Sequence, residues 1–367
     1  MRLLVVTDRL SARGGADRHL GQLIASAVEA GDRVTVAFGR DDGTSRIMPD
    51  VLRVRCRGLT SAVAGRSRLA RLASLLDDAD VIHAQNVMNP SALKTTAATG
   101  RAVVTVQDHR VFCPGAGKTL PDGSPCRRPM AESSCGTCLP DARYRQSVLE
   151  LTRQRLAAIR RFAAVIVLSG YMAHELATVG IGGAKVIPPW FEVGTPKASP
   201  GSSLLIGGRL VPHKGILDGW RAWCEAGQPL PLTVAGVGSL EHELEGAELR
   251  GWLEPGPLDA ALRDARALLF PARWQEPFGM LGVEALAQGT PAIVADAGGT
   301  SDWADVGCIR VPAGDVAAMA EAIRRLARDP SRALALGRAG QASVRDRFSR
   351  PRLEPRLRAL YQRVTHG

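Results

Sequence analysis

Hydrophobic positions along the chain follow two alternating periods. Short, nearly continuous apolar runs recur at Leu3–Thr7, Val34–Phe38, Val81–Ala84, Val103–Val106 and Val165–Leu168. Between them lie stretches of helical spacing; from His19 to Ala30, Leu20, Leu23 and Ile24 share one face. Runs this apolar read as strands buried on both faces, and their alternation with helices predicts a parallel sheet covered on both sides. The rhythm stops at residues 192–202, EVGTPKASPGS, whose Pro, Gly and Ser content reads as an interdomain linker. It restarts with Leu204–Ile206, Leu232–Ala235, Ala267–Phe270, Ala292–Ala295 and Cys308–Val311. A last helix is expected over residues 350–364. Ligands of such sheets bind at the carboxyl ends of the strands, so a cleft between the two halves is the expected site.

One stretch departs from plain packing. In residues 273–291, RWQEPFGMLGVEALAQGTP, a helical pattern starts near Gly279, with Met280, Val283, Leu286 and Ala287 on one side. Gly289 stands where a helix C-terminal glycine belongs, and Pro291 follows it. The first N–H groups of such a helix can hold an anion. Glu276 and Glu284 flank its start. Eight helical residues span about 12 Å. Carboxylates that share one glycosidic bond lie roughly 5 to 9.5 Å apart, so this pair suits a longer ligand, with hydroxyls at both ends and phosphates between.

Composition narrows the class. The chain has 367 residues, enough for two domains, and its apolar and charged fractions are those of a soluble globular protein. No run approaches the roughly 18 apolar residues of a membrane helix, and MRLLVVTD is too short in apolar length for a signal peptide. A cytoplasmic location is expected. A net charge of +11 favours anionic partners, but the arginines are dispersed and no zinc-finger Cys/His pattern appears, so nucleic acid is not expected. Gly236 and Gly238 lack the third glycine and downstream acid of a dinucleotide fingerprint, which argues against a dehydrogenase.

The Glu276-to-Glu284 segment resembles the E-x7-E signature of retaining glycosyltransferases, family 4 in particular. LLIGGRLVPHKGILD at 204–218 resembles that family's Gly-Arg-Leu…Lys-Gly donor motif. TVAGVG at 233–238 and GWL at 251–253 resemble its elements beside the nucleotide base, and RGGADRH at 13–19 its N-terminal Gly-Gly-Ala-acidic loop. The resemblance implies an α/β fold of GT-B type, two Rossmann-like domains facing each other across a cleft. The implied domains are 1–192, 203–348, and a helix at 349–367 that crosses back to the first. It implies transfer of a sugar from a nucleotide diphosphate sugar to an acceptor hydroxyl. Arg209, Lys214 and Glu276 would carry the reaction. Gly15, Gly208, Trp252, Phe278, Gly279, Met280, Leu281 and Glu284 would bind the donor, with Arg209 and Lys214 on the diphosphate and Glu284 on the ribose. Asp17, Gln107, Asp108 and His109 would lie on the acceptor or sugar side. Relatives carry His-Asp where this chain has Gln107 and Asp108; a glutamine donates a hydrogen bond but takes no proton and carries no charge. No cofactor is expected for catalysis. A GT-B phosphorylase, a nucleotide-sugar epimerase and a non-catalytic nucleotide-sugar-binding protein are the alternatives.

Two further clusters stand out. Cys113, Cys126, Cys135 and Cys138 fall in one Pro- and Gly-rich loop, 113–138. Four thiolates with a C-x2-C pair suit a tetrahedral structural zinc, with two disulfides or free thiols as alternatives. Arg143, Arg145, Arg153, Arg155, Arg160 and Arg161 crowd one helix, where a solvated face is the simpler reading and peripheral contact with an anionic membrane the alternative.

Overall fold

A computed structural model of the protein describes residues 1–48, 50–60 and 69–366. The chain divides into two compact units. The first holds Met1–Lys118, Arg127–Pro188 and Glu354–Gly367; the second holds Thr119–Cys126 and Pro189–Leu353.

The first unit contains strands β1 (Arg2–Leu10), β2 (Arg33–Asp41), β3 (Leu52–Arg55), β4 (Val81–Gln85), β5 (Ala102–Val106), β6 (Ala164–Val167) and β7 (Lys185–Val186). Its helices are α1 (Gly15–Glu29), α2 (Ala70–Asp77), α3 (Pro90–Ala97), α4 (Ala142–Ile159) and α5 (Gly170–Thr178). The strands pair in parallel in the order β3-β2-β1-β4-β5-β6-β7. β4 and β5 are buried at every residue, which is why their sequences are apolar runs rather than alternations. Side-chain caps from Asn89, Asp141 and Ser169 start α3, α4 and α5 by accepting from backbone N–H groups that the helices leave unpaired.

The second unit repeats the plan with β8 (Ser203–Gly207), β9 (Leu232–Ala235), β10 (Glu248–Leu249), β11 (Ala265–Phe270), β12 (Ala292–Asp296) and β13 (Cys308–Pro312). Helices α6 (Ile216–Glu225), α7 (Pro255–Asp264), α8 (Met280–Ala287), α9 (Val316–Arg328) and α10 (Pro330–Phe348) accompany them. The strand order is β10-β9-β8-β11-β12-β13, again all parallel. Two Rossmann-like α/β units are therefore present. In each, the first strand lies where the strand order reverses, the position that favours ligand binding at its carboxyl end.

Three strands went unseen in the sequence: β3, β7 and β10. Each is two to four residues long at or near a sheet edge and largely exposed, so no apolar run marks it.

The last helix, α11 (Arg350–His366), ends in the first unit. There the buried Tyr361 hydroxyl lies 2.6 Å from His83 Nδ1, and His83 Nε2 lies 2.7 Å from Thr105 Oγ1. Burial pushes His83 down to about 3, so this ring stays neutral. Arg358 adds an ion pair to Asp32 at 2.8 Å.

Lys197 is a buried cation in the second unit. Its Nζ donates to the Ala265 carbonyl (2.5 Å) and Thr290 Oγ1 (3.0 Å). Burial, reinforced by Arg263 and Arg266 against Asp264, pushes it from 10.5 down to about 8. Between these two values the unfolded chain binds more protons than the folded one, so this group's contribution to stability rises with pH across that window. The shift corresponds to a penalty on the order of 3 kcal/mol below pH 8. Denaturant melts should show the stability of Lys197→Met, relative to the native chain, falling between pH 7 and pH 10. A difference independent of pH would contradict the assignment.

Candidate functional site

In the second unit, three loops lie side by side at the carboxyl ends of β8, β9 and β10. Gly208 N donates to the Ala235 carbonyl (2.9 Å), Leu210 N to the Val237 carbonyl (3.0 Å) and Gly236 N to the Gly251 carbonyl (2.7 Å). Trp252, half-buried, follows directly. Beyond Gly208 the chain exposes Arg209, buries Leu210 and makes one tight turn over Pro212–Lys214. Gly215 ends that turn with φ +67°, and a Cβ there would stand 1.8 Å from the Pro271 carbonyl oxygen. Only glycine lets the 213–215 turn press against the end of β11 in this way.

That closeness joins the two sequence motifs. Arg273 N and Trp274 N both donate to the His213 carbonyl (3.2 and 3.1 Å). Lys214 Nζ then reaches Glu276 Oε1 at 2.5 Å and lies 4.6 Å from the centre of the Trp274 ring. Glu276 is buried, and its carbonyl accepts from Gly299 N at 2.6 Å, which fixes the backbone that presents the carboxylate. Burial lowers the pKa of His213, and the charges of Lys214 and Arg209 push it the same way against Glu276. The fields of both cations therefore converge on this turn.

Helix α8 begins at Gly279, which adopts φ +88°. Phe278 and Met280 are buried; the Phe278 ring stacks on Phe191 and meets Phe348 edge-on. Both can therefore offer a ligand only their backbone. Trp303 Nε1 donates to the Phe278 carbonyl (2.6 Å), and its ring fills the space beside Gly282, so the helix start is braced from below. Half-buried Leu281 packs on Gly207 at the end of β8, and Glu284 is half-buried one turn further on.

The first unit places its expected residues less uniformly. Gly14 and Gly15 make the turn into α1, and the buried Asp17 accepts from Arg9 Nη2 at 2.7 Å. Burial raises the pKa of Asp17 while Arg9 opposes the rise. Gln107 lies just past β5, and its Nε2 donates to His19 Nδ1 (2.8 Å). Burial holds His19 at about 4, so the ring is a neutral acceptor there. Gln85 Nε2 donates to the Ala16 carbonyl at 3.2 Å. Asp17 Oδ1, Gln85 Oε1 and Gln107 Oε1 are buried and have no hydrogen-bond partner among the described residues. Asp108 works locally: it accepts from Arg110 N (2.8 Å) and pairs with the Arg110 guanidinium (2.7 Å). His109 is buried between Phe112 and Tyr171, its Nε2 lying 3.0 Å from the Tyr171 hydroxyl, in a core environment.

Sequence reasoning missed His19, Gln85, Trp274 and Asp8. Asp8 lies near the carboxyl end of β1, and burial, opposed by Arg110, Arg9 and Arg40, pushes it up to about 6. Gln85 ends β4. Polar residues closing otherwise apolar strands were the available signal for both.

Of the four cysteines, Cys126 belongs to the second unit, while Cys113, Cys135 and Cys138 belong to the first. Among the described residues no three His, Cys, Asp or Glu side chains gather so as to hold a metal ion. The arrangement therefore lends the zinc expectation no support. Of the α4 arginines, Arg145 pairs with Glu132, Arg153 with Glu150, and Arg155 and Arg160 donate to the Met88 and Val179 carbonyls. Much of that basic face is thus committed within the fold. No helix among the described residues is long and apolar enough to cross a membrane.

Two family models match the sequence: Glycosyltransferase Family 4 over residues 13–193, and Glycosyl transferases group 1 over residues 201–329. Glycogen synthase of Mycobacterium tuberculosis H37Rv is 31% identical over 173 residues, covering 43% of this chain and 41% of that protein. D-inositol 3-phosphate glycosyltransferase 1 of Catenulispora acidiphila is 39% identical over 107 residues, 29% of this chain and 25% of that protein. The matches thus span less than half the length of these curated relatives. Among solved structures, HepE of Anabaena in complex with UDP aligns with a TM-score of 0.72 at 17% identity, covering 99% of this chain and 100% of that one. Sucrose-phosphate synthase of Thermosynechococcus elongatus aligns with a TM-score of 0.72 at 17% identity, covering 99% of both chains. At such identities the likeness is one of fold.

Proposed function

The chain belongs to glycosyltransferase family 4, and on that premise we propose that it moves a sugar, with retention, from a nucleotide diphosphate sugar to an acceptor hydroxyl. The observation that carries this reading is the Lys214–Glu276 pair beside exposed Arg209, at the carboxyl end of the switch-point strand β8. Two cations beside the start of α8 suit an anionic ligand such as a diphosphate. The Anabaena structures with UDP, and with UDP and glucose, support a nucleotide-sugar donor.

In this reading the bond between the sugar's anomeric carbon and the diphosphate breaks, and its electron pair goes to the phosphate oxygen. Lys214 and Arg209 neutralise the charge that develops there. The acceptor oxygen forms the new bond to the anomeric carbon, and its proton passes to the departing phosphate oxygen, so no strong protein base is required. Glu276 would accept from donor-sugar hydroxyls and Glu284 from the ribose. Trp252 would lie beside the base, while backbone N–H groups of Phe278–Leu281 would contact sugar and phosphate. In the first unit, Asp17 Oδ1, Gln85 Oε1 and Gln107 Oε1 are acceptor groups suited to hydroxyl donors. Asp108 and His109 take structural places in this reading.

Arg209→Ala or Lys214→Ala should each lower turnover by about 10²- to 10³-fold, the loss typical of one such charge-stabilising donor. Native turnover in either folded variant would remove that residue from the clamp. Glu284→Gln should weaken nucleotide binding and reduce the preference for a ribose over a 2′-deoxyribose donor; titrations with both donors check this. Catalysis should need no free divalent cation, because protein charges replace it. Turnover should survive EDTA in a short assay, and immediate loss restored by Mg²⁺ or Mn²⁺ would overturn the cation clamp.

A further inference from the structure

The Lys214 ammonium has two neighbours of opposite character. Glu276 Oε1, at 2.5 Å, neutralises it. The Trp274 ring, with its centre 4.6 Å away, attracts it through the electron-rich π face without adding negative charge. That indole is itself held in place. Residues 273 and 274 hang by their N–H groups from the His213 carbonyl, so the backbone before Lys214 and the backbone under the indole are stitched together. The His213 ring meets the indole edge-on, with centroids 5.2 Å apart. One residue earlier, the Arg273 guanidinium forks onto the buried Asp218 on α6.

A lysine on a four-carbon stem loses much rotamer freedom when a ligand fixes it. A pre-formed contact removes part of that loss from the binding step. Glu276 alone restrains the ammonium from one direction and competes with an incoming anion. A fixed aromatic face restrains it as well and does not compete.

We propose that Trp274 is a positioning residue, whose indole face holds the Lys214 ammonium ready for the diphosphate of the donor. The inference rests on the reading of Lys214 as diphosphate clamp. Trp274 acts through Lys214, so its effect should exist only while that lysine is present. Calorimetric titration of the full chain with UDP, GDP and ADP tests this in the native protein and in Trp274→Phe, Trp274→Leu, Lys214→Met and Lys214→Met/Trp274→Leu. For the nucleotide that binds best, Trp274→Leu should weaken affinity about 3- to 30-fold, and Trp274→Phe by less, since it keeps a smaller face. In the Lys214→Met background, removing the indole should change nothing further. An equal loss with and without Lys214, or no loss in Trp274→Leu, would overturn the proposal. Should Trp274→Leu fail to fold, Trp274→Phe combined with Lys214→Met supplies the same comparison. Native affinity in Lys214→Met, or no binding of any of the three nucleotides by the native chain, would overturn the clamp reading itself. Either result is distinct from loss of the coupling alone.

Discussion

A parallel sheet with helices on both faces can present polar chemistry only at the ends of its strands. The central strands here are committed to burial, as the fully buried β4, β5 and β11 show. The groups with chemical interest therefore gather where strands stop: Asp8 near the end of β1, Gln85 closing β4, Gln107 past β5, Arg209 and Lys214 past β8. At β8 the strand order reverses, the position at which such sheets favour a crevice outside the carboxyl ends. Beside that end lie a glycine-tight turn and the start of α8.

Charge is distributed unevenly between structure and site. Many arginines among the described residues are spent on the fold. Arg266 donates to the carbonyls of Gly201 and Leu326, and Arg263 to Gln288 and Thr195. Arg273 is tied to Asp218. Arg209 differs: it lies exposed in a loop, its field felt by His213 beside Lys214. Net charge thus says little about where anions bind; local convergence of two cations on one turn says more.

The α/β class, the central strands and the helix after Gly279 were legible in the sequence because burial on both faces writes long apolar runs. The short edge strands were not, since half-exposed backbone pairing leaves no such mark. The motif from Glu276 to Glu284 was legible as a unit, but not the contact of Lys214 with Glu276. Those residues are 62 positions apart and meet only because Gly215 lets its turn abut Pro271. Asp17 read as a site residue from its glycine-rich neighbours, yet one of its oxygens pairs with Arg9, a partner that spacing did not suggest. His109 read equally well as ligand or core; it lies buried with rings on two sides. The cysteine spacing suggested one cluster, but spacing along a loop does not fix where each thiol goes.

The path of the backbone has a practical consequence for anyone wishing to divide the molecule. The segment Thr119–Cys126 closes on itself, with Leu120 N on the Ser124 carbonyl at 2.8 Å, and Thr119 Oγ1 accepts from Gln275 N at 3.1 Å. It belongs to the second unit although first-unit sequence precedes and follows it. A fragment of residues 189–353 would leave it behind, and the buried Gln275 N–H would lose its acceptor. A fragment of residues 1–188 would lack Tyr361 and strand the buried His83 Nδ1. Each orphaned group costs about 1 to 3 kcal/mol. Neither half, cut at its apparent seam, carries a complete set of its own hydrogen bonds, so dissection requires transplanting an eight-residue loop and a terminal helix, not choosing a boundary.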